Sequence, residues 1–113
     1  MTRHSETVRL QHMLESAEKA VGFAQARTRS DLDRDELFAL AMVRLVEVIG
    51  EAARGVSLDT QRKMPEVPWR DIIGARNRLI HGYPDIDFDI VWRILVEHLP
   101  LLVAALRPVV PRG

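Results

Sequence analysis

Apolar residues in this chain recur at three- and four-residue steps, broken by glycine and proline, and no useful stretch alternates with period two. That spacing places apolar side chains along one helical face and withholds the two-sided pattern a sheet needs, so the expected fold class is all-α. At 113 residues the chain is long enough for one modest core, and one domain over 1–113 is expected.

The punctuation yields four helices. The first is predicted over about Arg3–Arg27, with Leu10, Met13, Leu14, Ala17, Val21 and Ala24 as its apolar stripe. SDLDRDE offers Ser30, Asp31 or Asp33 as the N-cap of a second helix reaching to about Val56. Its core face is read as Leu37, Leu40, Ala41, Leu45, Val48, Ile49 and Ala52, with Gly50 marking close approach of a neighbour. SLDTQRKMPEVP is a connector with room for one helical turn. Pro68 suits the start of a third helix over Trp69–His81, closed by Gly82 and Pro84. A fourth, capped by Asp85 or Asp87, runs to about Leu106 on Phe88, Val91, Trp92, Leu95, Leu99 and Leu102, with a disturbance near Val96 caused by Pro100. These elements predict an antiparallel bundle of four to five helices.

Composition excludes several function classes. Sixteen basic residues balance sixteen acidic ones, so no global positive field attracts nucleic acid, and any RNA contact must be local. The absence of cysteine removes disulfides, thiol catalysis and cysteine metal sites, and fits a reducing, cytoplasmic setting. The polar N-terminus does not resemble a signal peptide, and no apolar run approaches the ~20 residues of a membrane helix.

The chemistry concentrates in RNRLIHGY, from Arg76 to Tyr83. On a helix Asn77 and His81 share a face, whereas Arg76 and His81 lie about 140° apart at ~3.6 residues per turn. Arginine binds phosphate oxygens bidentately, and histidine moves protons near neutral pH. Attack of a ribose 2′-OH on the adjacent phosphate needs a proton removed, a proton delivered and charge stabilised, which Arg76 and His81 can serve without metal or cofactor. A symmetric dimer would supply acid and base from two copies of His81. Alone, an arginine and a histidine in a last helical turn more often just bond terminal carbonyls.

PEVPWRDIIGARNRLIHGYPDIDFDIVW, together with LVEVIGEAAR over Leu45–Arg54, resembles the HepT-like family of the HEPN superfamily. The resemblance spans nearly the whole chain. It implies a dimeric helical bundle acting as a metal-independent endoribonuclease through R-x4-H-x-Y, here Arg76, His81 and Tyr83, with Asn77 beside the arginine. It also implies a toxin of a two-gene toxin–antitoxin system, with tRNA as the expected substrate. Its partner would be an MNT-type minimal nucleotidyltransferase that neutralises it, in some systems by attaching AMP to the tyrosine, here Tyr83.

Other polar residues are weighed against ordinary roles. Arg44, Glu47 and Glu51 form a stripe on the second helix; they either flank the site, as Arg78 does, or form a solvated face with an internal Arg44–Glu47 pair. Asp85, Asp87 and Asp89 read as a cap and first-turn charge rather than a metal site. His98 reads as a core or interface residue, His4 and His12 as surface, and Trp69 and Trp92 as anchors. The rival function is a non-catalytic dimeric module that binds a nucleotidyltransferase, which the neutral net charge favours mildly.

Overall fold

The computed structural model describes residues 3–81 and 86–111, with side chains from residue 5 onward except those of 76 and 78–81. Among the described residues seven α-helices follow one another: α1 (Arg3–Ala24), α2 (Asp31–Arg34), α3 (Glu36–Arg54), α4 (Leu58–Lys63), α5 (Trp69–His81), α6 (Phe88–Arg93) and α7 (Leu99–Leu106). A π-helical turn, Ile94–His98, joins α6 to α7, so the three make one long helical stretch. Among the described residues there is no strand. Four long elements therefore build the bundle, as the periodicity requires, with α2 and α4 as short inserts.

The helices close a ring around the core. α1 packs on α3, α3 on α5, α5 on the π turn, and α7 returns to α1. Met13, Ala17, Met42, Ile49, Ile72, Leu95, Leu99 and Leu102 are at or near zero exposure where the elements meet. Burying each large aliphatic side chain contributes on the order of 1.5–3 kcal/mol.

The ends of the helices follow local chemistry. α1 stops at Ala24, short of the expected Arg27, because Ala26 turns into the left-handed region at φ 64°. The cap of α3 is Asp35, not Ser30, Asp31 or Asp33. Its carboxylate accepts the Phe38 N–H at 3.1 Å, and the three earlier residues belong to the separate turn α2 and its flank. In the connector, Ser57 caps α4 by accepting from the Thr60 N–H. Glu6 of α1 ties that turn down: its carboxylate accepts the Ser57 N–H at 2.6 Å and the Thr60 hydroxyl at 2.7 Å. The Trp69 indole N–H donates to the Met64 carbonyl, anchoring the start of α5, where the Pro68 carbonyl accepts the first helical bond from Ile72.

Two sequence expectations are resolved in the second and fourth long elements. Pro100 does not end its helix. The strain at the preceding turn, where proline removes a donor and crowds the carbonyl four residues back, coincides with the π turn centred on Val96. The expected core face of α3 is displaced. Phe38, Ala39, Met42, Val46, Ile49, Gly50, Ala52 and Ala53 are buried, whereas Leu37 is 81 % and Leu40 59 % exposed, and Ala41 is exposed too. Only Ile49 and Ala52 of the expected stripe are buried.

Candidate active site

α5 carries the motif. Its Trp69, Ile72 and Ala75 are buried against the bundle, while Arg70, Asp71 and Asn77 are exposed. Position 76 lies four residues after Ile72 and seven after Trp69 on the same helix. Position 81 lies four residues after Asn77 at the end of that helix. The helix is unbroken from Trp69 to His81, so all of Arg76, Asn77, Arg78 and His81 have helical backbone at the end of one element. The side chains of Arg76, Arg78 and His81 and the whole of Tyr83 and Asp85 lie outside the described residues. Asn77, the fourth polar member, presents its amide to solvent.

The helix that follows is docked by charge. Asp87 caps α6 by accepting from the Asp89 and Ile90 N–H groups at 2.9 and 3.3 Å. The Asp89 carboxylate accepts from the Arg29 Nε at 2.7 Å, and Arg29 also holds Asp33 at 2.9 Å. The hydrogen bond to Asp89 raises the Arg29 pKa above its ordinary value. Asp87 and Asp89 are thus engaged as cap and ion pair, the reading preferred over a metal site. Among the described residues no group of three or more His, Asp or Glu could hold a metal ion.

The α3 stripe lines a groove of about 380 Å³ against α1: Arg44, Glu47, Val48 and Glu51 on one wall, Arg9 and His12 on the other. Arg44 and Glu47 form no ion pair with each other, so the internal pair considered for a solvated face is not made. Arg9 reaches the C-terminal end of α3, where a Cβ on Gly55 would collide with its guanidinium. A cation there complements the negative end of the helix dipole. Spacing within α3 exposed its own stripe but held no signal for Arg9 and His12, which join it only through the packing of α1 on α3.

His98 is mostly buried beside α5. Its Nε2 lies 3.7 Å from the Asp71 carboxylate, and its Nδ1 is buried without a partner among the described residues. It is a packed histidine, as read from its place on the apolar face. Trp69 is buried, Trp92 half-buried and His12 exposed, in keeping with their expected roles.

Comparison with known proteins places this bundle. The family described as ribonuclease HepT-like matches residues 13–109, from the middle of α1 past the end of α7. The chain belongs to that HepT-like ribonuclease family of the HEPN superfamily, and is by membership an endoribonuclease. It is 34 % identical over 100 residues to a candidate RNase of Methanocaldococcus jannaschii, covering 88 % of this chain and 92 % of that one. It is 32 % identical over 93 residues to a protein named a probable ribonuclease HepT in Thermococcus cleftensis, with 82 % and 84 % covered. A candidate RNase of Caldanaerobacter subterraneus subsp. tengcongensis is 28 % identical over 103 residues, with 91 % and 92 % covered. No solved structure matches the chain. No helix among the described residues is long and apolar enough to cross a membrane.

Proposed function

We propose that the protein is a metal-independent endoribonuclease toxin acting on RNA, with tRNA as the first substrate to try. The observation that carries this reading is an unbroken R-N-x3-H run at the end of α5 in a chain of the HepT-like ribonuclease family. Arg76 binds the scissile phosphate through bidentate bonds and stabilises the charge that builds on its oxygens. His81 takes the proton from the 2′-OH or gives one to the departing 5′-oxygen. The products are a 2′,3′-cyclic phosphate and a 5′-hydroxyl. Asn77 orients one of these two groups, and Arg78, Arg44, Glu47 and Glu51 flank the site.

One chain offers one His81, so the reaction is assigned to a homodimer in which two copies supply acid and base. The partner is an MNT-type nucleotidyltransferase that silences the toxin by transferring AMP to the Tyr83 hydroxyl. The test is cleavage of total tRNA in EDTA by protein made without that partner. Fragments from wild type and none from His81→Ala support the reading. No fragments from a folded wild-type dimer would favour a non-catalytic module that only binds the nucleotidyltransferase.

A further inference from the structure

The exposed face of α3 is self-complementary. Glu36, Leu40 and Arg44 stand four residues apart and form one ridge along the helix. All three are exposed, and among the described residues neither Glu36 nor Arg44 forms an ion pair. Read in the opposite direction, the ridge becomes arginine–leucine–glutamate. We infer that this ridge is where a second copy of the chain docks, with α3 crossing α3 of the partner about a two-fold axis at Leu40.

The geometry follows from helix dimensions. Four residues rise about 6 Å, so with Leu40 on the axis the Glu36 of each copy stands beside Arg44 of the other. Two ion pairs then flank a leucine–leucine contact, as an isologous interface requires. Packing of i, i+4 ridges is the commonest helix crossing, and the small Ala41 beside the ridge permits close approach. Leu37, 81 % exposed, and Phe23, 53 % exposed, stand alongside it at a groove of about 340 Å³ whose lining includes Phe38, Ala41 and Met42. That apolar surface is left bare in one copy and covered in two. The inference rests on the homodimer proposed above and assigns its face.

The chain has no cysteine, so a single introduced thiol reports the contact cleanly. Leu40→Cys, oxidised with copper phenanthroline, is expected to give a disulfide-linked dimer. Leu101→Cys, exposed on α7, is the control and is expected to stay uncrosslinked. Light scattering after gel filtration of reduced protein measures the equilibrium. Arg44→Glu is expected to weaken the dimer by on the order of tenfold or more, and Glu36→Arg with Arg44→Glu to restore it. A wild-type monomer would overturn both this face and the dimeric reading. A wild-type dimer that ignores Arg44→Glu and fails to crosslink through Cys at position 40 would overturn the face alone, leaving the homodimer intact on another surface.

Discussion

The Arg27 guanidinium and the Asp35 carboxylate meet at 3.1 Å, and each does a second job at the junction of α1 and α3. Asp35 caps α3 through the Phe38 N–H, and Arg27 lies over the Phe38 ring at 4.5 Å. A short return between two long helices is thereby fixed by one cap, one ion pair and one cation–π contact. The bond from the Phe38 N–H, then the one from Arg27, holds the Asp35 carboxyl below its ordinary pKa.

That shift sets a pH dependence. A carboxyl whose pKa is lower in the folded than in the unfolded state binds fewer protons when folded, so it stabilises the fold above the unfolded pKa of about 4. The stabilisation fades as the pH falls through the folded value. Asp31, held low first by the Thr28 N–H, and Glu6, held low first by Ser57, add to the same trend. Thermal melts should show Asp35→Ala less stable than wild type at pH 6, with the gap narrowing toward pH 3. A gap independent of pH would contradict this role.

Ala26 is a non-glycine residue in the left-handed region, at φ 64°. Relief of its strain, about 1–2 kcal/mol, exceeds the extra entropy glycine loses on folding, about 0.5–1 kcal/mol. Ala26→Gly should therefore raise stability by roughly 0.5 kcal/mol, measured by urea titration with unchanged slope. Destabilisation would mean that this residue is not left-handed in solution.

Leu99 is fully buried at the junction of the π turn and α7. Leu99→Ala should cost about 2–5 kcal/mol in equilibrium unfolding, the sum of lost transfer energy and a cavity. A cost below about 1 kcal/mol would mean the junction is loosely packed.

Arg76→Lys keeps the charge but loses the planar pair of donors that fits a phosphate. RNA cleavage should fall on the order of 100-fold, with the melting temperature little changed. Full activity would show that a point charge suffices there.

The sequence revealed the fourth long helix almost residue for residue. Val91, Leu95, Leu99 and Leu102 were expected to be apolar and are buried, Asp87 caps, and Pro100 is registered as a π turn. The end of α1 was illegible because Ala26, unlike glycine, gives no sign of a left-handed turn. The α3 face was misplaced for a deeper reason. That helix is apolar on two sides, one through Phe38, Met42, Val46 and Ile49, the other through Leu37, Leu40, Ala41 and Val48. Periodicity finds both stripes but does not say which one faces the chain's own core. The run from Arg76 to His81 was visible as a string, since it sits on one continuous helix. The groove between α1 and α3 was not, because Arg9 and His12 meet Arg44 only after folding.

The most direct test of the central claim is the chemistry of the cut end. Wild-type protein prepared without a nucleotidyltransferase is incubated with tRNA in excess EDTA, and the 3′ termini of the fragments are identified by mass spectrometry. Wild type is expected to leave 2′,3′-cyclic phosphates, and His81→Ala to leave the tRNA intact. Cleavage that stops in EDTA, leaves 3′-hydroxyl ends or survives His81→Ala would contradict it.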